Sequence, residues 1–274
     1  MIAPAPDVLD AHRVTVRGRP DGRPLVFAHG FGCDQAMWRH VAPAFERTFK
    51  VITFDHAGSG APDPDRPFRP ERYPTLHAYA ADVVAICHAL GLHEDVTLVG
   101  HSVSSMIGVL AAIEHPELFS SLVLVAPSPR YLDDADTGYR GGFDHATIDG
   151  LLQAMELDHL GWSASMAPMV MGNADRPELG AELTGAFCAT DPAAARHFAG
   201  LTFLSDNRAD LGRLTVPSVI LQCQDDVIAP VAVGEYLHEH LPHSTLVQLD
   251  ATGHCPNLSA PEETIAAIAA HVHA

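Results

Sequence analysis

The stretch Val96-Thr-Leu-Val-Gly100-His-Ser102-Val-Ser-Ser-Met-Ile-Gly108 decides the fold. Its first four residues are a short apolar, largely β-branched run, which is typical of a strand buried on both faces. Small residues surround Ser102, and a helical pattern follows as far as Glu114. A serine in a sharp turn between a strand and a helix projects its hydroxyl above the sheet. The stretch therefore predicts a nucleophile elbow with Ser102 as the candidate nucleophile.

Five further apolar runs resemble the one before Ser102. They lie at residues 24–29, 51–55, 122–126, 219–223 and 246–250. Helical patterns at 75–90, at 103–114 and from 260 onward separate several of these runs. Right-handed crossovers join such units into a mostly parallel, doubly wound α/β sheet with helices on both faces. Ligands in this architecture bind outside the carboxyl ends of the strands, so functional residues are expected there.

One region, residues 128–205, breaks the alternation of strand and helix. It contains four apolar, helix-like segments and no convincing strand: 148–155, 162–171, 179–187 and 193–203. Because it interrupts the sheet between two strands, we expect a helical cap above the carboxyl edge. The predicted division is a core of residues 1–127 and 206–274 with a cap of residues 128–205. The proline-rich segment 61–74 predicts a surface loop.

Charge and composition exclude several classes of protein. The 274 residues include 16 Lys and Arg against 34 Asp and Glu, a net charge of −18, so neither nucleic acid nor an anionic membrane is an expected partner. The longest apolar stretch, 97–113, is interrupted by Gly, His and Ser and is too short to span a bilayer. Residues 1–10 lack the features of a secretory signal, which favours a cytoplasmic location.

Metal sites are not predicted. The five cysteines have no C-x-x-C spacing, and the 18 histidines are scattered without an H-E-x-x-H motif. We therefore expect reduced thiols, no metal and no other cofactor.

Two downstream segments supply the partners that a serine nucleophile needs. Asp225 and Asp226 follow the predicted strand at 219–223, and His254 follows the one at 246–250. Serine, aspartate and histidine thus occur at three carboxyl strand ends, in the chain order of α/β-hydrolases. His254 is the candidate base, and Asp226 is preferred to Asp225 as the carboxylate that orients it. The alternative for Ser102 is an ordinary tight turn that caps a helix.

The loop His29-Gly30-Phe31-Gly32 predicts the second half of an oxyanion hole. Its glycines let the backbone approach a substrate, and the N–H of Phe31 would act together with the N–H of Val103. His29 is expected to order this loop rather than to react. His101, beside the nucleophile, is expected to be pocket wall or an orienting group.

Taken together, the motifs resemble the RsbQ-type α/β-hydrolases, bacterial regulators of a stress sigma factor that are similar to the plant strigolactone and karrikin receptors. The resemblance runs over nearly the whole chain and rests on residues 29–32, 100–108, 127–131 and 253–256. It accounts for Ser104, where the general G-x-S-x-G motif has glycine, because this subfamily also has serine there. It implies a triad of Ser102, Asp226 and His254, and a four-helix cap over a hydrophobic pocket.

Apolar residues of the cap, together with His101, are the candidates for substrate contact. They are His101, Trp162, Met166, Val170, Phe198 and Phe203, in addition to the oxyanion-hole residues. A pocket with few charges favours a small, neutral, apolar ester or lactone. The first hypothesis is a serine hydrolase that forms an acyl-enzyme. The alternative is a small-molecule receptor, weakly hydrolytic or inert, that signals through a partner such as a stress-pathway phosphatase or sensor. Cofactor-free dioxygenases and C–C hydrolases share the same three residue types.

Overall fold

A seven-stranded sheet runs through the centre of the molecule in this computed structural model, which describes residues 8–272. The strands are β1 Thr15–Gly18, β2 Pro24–Ala28, β3 Lys50–Phe54, β4 Val96–His101, β5 Phe119–Val125, β6 Ser218–Asp225 and β7 Ser244–Thr252. Their order across the sheet is β1-β3-β2-β4-β5-β6-β7, and only β1 pairs antiparallel with its neighbour. The predictions on residues 1–7 and 273–274 lie outside the described residues.

Helices cover both faces of the sheet and fill the segment between β5 and β6. They are α1 Val8–Ala11, α2 Leu76–Ala89, α3 Val103–Glu114, α4 His145–Leu157, α5 His159–Met171, α6 Pro177–Ala189, α7 Pro192–Leu204, α8 Val231–His240, α9 Pro256–Ser259 and α10 Pro261–Val272. Among the helices of residues 8–272, none combines the length and the apolar character that crossing a bilayer requires.

The mostly parallel sheet with flanking helices is as predicted, and β2 to β7 coincide with the six apolar runs. The strand β1 was not predicted. It is a short edge strand whose residues are exposed or half-buried, so its sequence carries no apolar run. Each of the four helix-like segments of residues 128–205 corresponds to a helix, α4 to α7, with ends extended by up to three residues.

Successive strand residues point alternately into two apolar layers. In β2, Leu25 and Phe27 join the layer that includes Trp38, Trp162 and the C-terminal helix. Val26 and Ala28 join the layer formed with α2 and α3 on the opposite face. Because both faces are buried, the strands read as continuous apolar runs rather than alternating ones. Parallel pairing in the order β4-β5-β6-β7 brings the carboxyl ends of β4, β6 and β7 to the same edge of the sheet.

The two ends of the segment that joins β5 to β6 are held together by hydrogen bonds. The N–H of Asn207, where the chain returns from α7, donates to the carbonyl of Pro129, where it departs from β5, at 2.8 Å. Arg208 is within 2.8 Å of both Asp134 and Asp206, and Arg130 also pairs with Asp206. The helices α4 to α7 are therefore tied to the sheet at their base by charge-assisted hydrogen bonds.

Candidate active site

The backbone of Ser102 adopts a conformation that a residue with a side chain rarely takes. Its φ is +56° and its ψ is −123°. The N–H of Ser102 donates to the carbonyl of Val125 at 2.8 Å, which holds the turn against β5. A Cβ on Gly100 would lie 2.4 Å from the carbonyl oxygen of Ser104, so glycine is required for the turn to close. The strand and the helix thus meet in a strained elbow of the kind the sequence predicts.

A continuous chain of hydrogen bonds joins Asp226, His254 and Ser102. His254 Nδ1 lies 2.7 Å from Asp226 Oδ2, and His254 Nε2 lies 2.7 Å from Ser102 Oγ. Because a carboxylate accepts hydrogen bonds, Nδ1 carries the proton and Nε2 is free to accept the Ser102 hydroxyl proton. The other carboxylate oxygen of Asp226 accepts the N–H groups of Ile228 and Ala229 at 2.8 and 3.1 Å. Asp225 is exposed, so the structure brings Asp226 and not Asp225 to His254.

The segment that carries His254 is held by its own backbone. Gly253 has a φ of +86°, and its N–H donates to the carbonyl of Asp225 at 2.7 Å. The N–H of His254 donates to the carbonyl of Val170, at the end of α5, at 2.9 Å. A Cβ on Gly253 would lie 1.8 Å from the carbonyl oxygen of Met171. The imidazole is therefore positioned jointly by the sheet and by α5.

His101 supports the backbone of His254 as a neutral group. Its Nε2 lies 2.7 Å from the carbonyl oxygen of His254 and must donate, because a carbonyl only accepts. Burial and the neighbouring His254 lower the pKa of His101 to about 3. His101 is thus uncharged at neutral pH, and the structure assigns it an orienting contact in addition to its place in the cavity wall.

The two residues predicted to supply the oxyanion donors lie close to the nucleophile. Val103 begins α3, so its N–H is one of the first-turn groups that have no acceptor within the helix. Phe31 follows Gly30, whose Cα lies against the nucleophile: a Cβ there would be 3.2 Å from Ser102 Cβ and 2.5 Å from His101 Nδ1. The glycine at position 30 is what lets this loop approach Ser102.

A small cavity of about 40 Å³ lies over Ser102 and His254. Of the predicted contact residues, the structure brings Phe31, His101, Trp162, Met166, Val170 and Phe203 to its wall. Phe198 is not in this wall. Its ring stacks on Tyr79 at 4.5 Å, within the apolar layer formed with α2 and α3. Ligand pockets commonly measure about 300–1,000 Å³, so this conformation is closed and a substrate larger than a few atoms requires the wall to move.

Several residues of the wall were missed by the sequence reasoning. They are Cys33, Tyr131, Leu183, Phe187, Thr202, Ile228 and Cys255. Tyr131 is the most informative, because its hydroxyl lies 3.2 Å from Ser102 Oγ. Since the Ser102 proton faces His254, the Tyr131 hydroxyl donates to Oγ, and burial raises its pKa. Its position shortly after the carboxyl end of β5 is the signal that could have found it.

The cavity wall is mostly apolar, and the described residues around it hold no candidate metal site. Of the described residues that line the cavity, none is Asp, Glu, Lys or Arg. Within residues 8–272, no group of three or more His, Cys, Asp or Glu side chains is arranged to hold a metal ion.

A buried Ser–His–Asp arrangement on a strained elbow, at the carboxyl edge of a mostly parallel sheet, defines the hydrolase class of this fold. The model of the Alpha/beta hydrolase family matches residues 25–267, and the chain belongs to that family.

Similar proteins include both receptors and enzymes. The chain is 40% identical to karrikin insensitive 2 receptor CA of Petunia hybrida, over 97% of each chain. It is 40% identical to a strigolactone esterase of Arabidopsis thaliana, over 94% of each. It superposes on a hydrolase from Oleispira antarctica with a TM-score of 0.92 and 37% identity, over 97% of this chain and 96% of that one. The expected α/β-hydrolase fold and the resemblance to the receptor group are thereby confirmed.

The buried neutral histidines predict a loss of stability in acid. Burial lowers the pKa of His29, His56 and His101. Below about pH 6.5 an unfolded imidazole takes up a proton that the folded one does not, so the free energy of unfolding falls as pH falls. Each such group contributes a slope of about 1.4 kcal/mol per pH unit between its folded and unfolded pKa values.

The measurement is urea unfolding of the parent and of His101→Gln between pH 7 and pH 4.5. Glutamine keeps a donor for the His254 carbonyl but cannot titrate. The free energy of unfolding of His101→Gln should therefore fall less steeply with decreasing pH, by up to about 1.4 kcal/mol per pH unit. Identical slopes for the two proteins would show that His101 is protonated in the folded state.

Proposed function

We propose that this hydrolase acts on a small hydrophobic ester or lactone through an acyl-enzyme, with Ser102 as nucleophile. The observation that carries the proposal is the unbroken hydrogen-bond chain Asp226–His254–Ser102, in which both contacts are 2.7 Å and all three side chains are buried. A serine hydroxyl is a weak nucleophile on its own and needs a base at hydrogen-bond distance. His254 meets this requirement, and Asp226 holds it in the tautomer that accepts a proton.

The reaction proceeds in two similar halves. Ser102 Oγ bonds to the carbonyl carbon while His254 Nε2 takes the hydroxyl proton, and the carbonyl electron pair becomes an oxyanion. The N–H groups of Phe31 and Val103 stabilise that charge. The bond to the leaving oxygen then breaks as His254 returns the proton to it. Water repeats the sequence on the acyl-enzyme, which releases the acid and restores Ser102.

The choice of a neutral substrate follows from the wall of the cavity. An ionic group would have no charged partner among its lining residues and would pay the full cost of desolvation. We further propose that residues 128–205 form a cap domain on a core of residues 1–127 and 206–274. Helices of this segment supply Trp162, Met166 and Phe203 to the wall, so its movement would open the cavity.

The triad is tested with p-nitrophenyl acetate. Ser102→Ala is expected to lower kcat at least about a thousandfold, because the nucleophile is lost. Asp226→Asn is expected to lower it about ten-thousandfold, because an amide in place of the carboxylate favours the wrong histidine tautomer. Asp225→Asn is the matched control: it makes the same change one residue earlier, on an exposed side chain, and should retain the parental kcat. Parental hydrolysis by Ser102→Ala would reject the mechanism.

The closed cavity predicts a preference for short acyl groups. The rings of Trp162 and Phe187 stack at 5.5 Å across its wall. Trp162→Ala is expected to raise kcat/KM for p-nitrophenyl hexanoate, relative to the acetate, about tenfold or more, because it makes room for additional methylenes. Leu160→Ala, on an exposed residue of the same helix, is the control and should leave the ratio unchanged. The ratio does not depend on the folded fraction, so an unchanged ratio in Trp162→Ala would show that this wall does not limit chain length.

A second candidate function, signalling through a protein partner, is favoured by the similarity to a named karrikin receptor at 40% identity. In this role the cavity binds a small hydrophobic ligand, and the ligand-bound cap binds a protein partner. Our candidate for that partner is a cytoplasmic stress-pathway phosphatase or sensor.

The receptor role predicts that Ser102→Ala, which cannot turn over a ligand, still binds one. Its Tm is expected to rise with a karrikin or a strigolactone, and it should co-elute with the host's stress-pathway phosphatase in gel filtration. If neither effect is seen while the parent protein hydrolyses esters normally, the receptor role is rejected and only the enzymatic role stands.

A further inference from the structure

A cluster of polar side chains lies behind the oxyanion loop, outside the triad. It consists of His29, His56 and Ser104, each of which is nearly inaccessible to solvent. His29 follows β2, His56 follows β3, and Ser104 is the second residue of α3. We call these three residues the support network. No step of the proposed reaction transfers a proton to or from any of them.

Each hydrogen bond in the support network has only one possible direction. The N–H of His56 donates to His29 Nε2 at 3.0 Å, so the proton of the neutral His29 ring is on Nδ1, which donates to the Gly30 carbonyl at 2.8 Å. The Ser104 hydroxyl donates to the His29 carbonyl at 2.5 Å. Its oxygen therefore accepts the proton on His56 Nε2, at 2.7 Å.

The two imidazoles keep these protons across the working pH range. Burial lowers the pKa of His29, and burial together with the neighbouring His29 and His12 lowers that of His56. The charge of Asp55 raises the pKa of His29, but this effect is smaller than that of burial. Neutral groups with fixed protons can hold a geometry but do not titrate with the reaction.

The network ends on the peptide group that carries a proposed oxyanion donor. The Gly30 carbonyl and the Phe31 N–H belong to one planar trans peptide, so they point in opposite directions. A donor fixed on the carbonyl therefore sets where the N–H points, and it also polarises the amide. The Gly30 carbonyl accepts a second, longer bond of 3.4 Å from the N–H of Cys33.

The other end of the network is tied to the second donor. Ser104 directly follows Val103, and its hydroxyl holds the carbonyl of His29, two residues before Phe31. The two proposed donors, one in the loop after β2 and one at the start of α3, are thereby linked to each other. Glycine, which the general elbow motif has at this position, could not form this link.

We propose that Ser104 and His56 are positioning residues for the oxyanion hole, acting through His29 on the Gly30–Phe31 peptide. The proposal rests on the serine-hydrolase function proposed above. An oxyanion hole acts on the transition state and not on the bound ester, so its misalignment lowers kcat and leaves KM nearly unchanged. Both acylation and deacylation pass through an oxyanion, so the effect appears whichever half is slower.

Two pairs of variants test this proposal with p-nitrophenyl acetate. In the first pair, Ser104→Ala is expected to lower kcat about tenfold and to keep KM within about threefold of the parental value. This loss is smaller than the hundredfold or more by which removal of an oxyanion donor typically lowers kcat. Its control is Ser105→Ala, which removes an equally buried hydroxyl on the same helix, one that donates to the Gly100 carbonyl and has no contact with the network. This control should keep the parental kcat.

The second pair of variants tests whether His56 acts by donating a hydrogen bond from Nε2 to Ser104. The amide nitrogen of glutamine reaches the position of histidine Nε2, so His56→Gln keeps a donor for Ser104 and should stay within about threefold of the parental kcat. His56→Leu removes the donor and should lower kcat about tenfold. A thermal melt showing that the variant is fully folded at the assay temperature separates this loss from a loss of folded protein, which would also lower kcat at an unchanged KM.

Equal kcat values for Gln and Leu at position 56, or equal losses for Ser104→Ala and Ser105→Ala, would overturn the positioning role. Neither result bears on the triad, which is judged by Ser102→Ala alone. Conversely, parental activity in Ser102→Ala would reject the hydrolase function itself. The two failures are therefore distinguishable in one set of assays.

Discussion

The hydrogen bond of 2.7 Å between His254 Nε2 and Ser102 Oγ is the contact on which the proposed chemistry depends. It joins side chains 152 residues apart in the chain, and separate contacts restrain each of its two ends. The left-handed backbone of Ser102 is held by β5, whereas His254 is held by Asp226, by the His101 side chain and by the end of α5. Because these side chains are buried, their hydrogen bonds are stronger than in solution.

The same enclosure restricts what can react. A cavity of about 40 Å³ is far smaller than the roughly 300–1,000 Å³ of common ligand pockets, so we propose that binding and opening of the wall are coupled. The residues that close it come mainly from α5, α6 and α7, while Ser102, Asp226 and His254 lie just beyond the carboxyl ends of β4, β6 and β7. The N–H of His254 donates to the carbonyl of Val170 on α5, so a movement of this helix acts directly on the proposed base. This link offers one physical basis on which a hydrolase and a ligand sensor can share a site.

The sequence predicted the features that depend on local pattern. Strands buried on both faces appear as apolar runs, and the elbow is readable because only small residues allow the turn around Ser102 to close. The structure places Asp226, the preferred carboxylate, beside His254, and its catalytic role stays a prediction.

Features set by long-range packing were not predictable. The edge strand β1 lacks an apolar run, and nothing in a helical pattern shows that Phe198 faces Tyr79 rather than the cavity. The network of His29, His56 and Ser104 depends on two loops and the start of α3, which meet only in the folded chain.

The most direct test of the central claim is covalent labelling with a fluorophosphonate, followed by mass spectrometry of the digested protein. The account predicts one label, on Ser102, which is lost in Ser102→Ala and formed much more slowly in a variant with His254 replaced by glutamine. A label on another residue, or full ester hydrolysis by a protein that takes up no label, would contradict it.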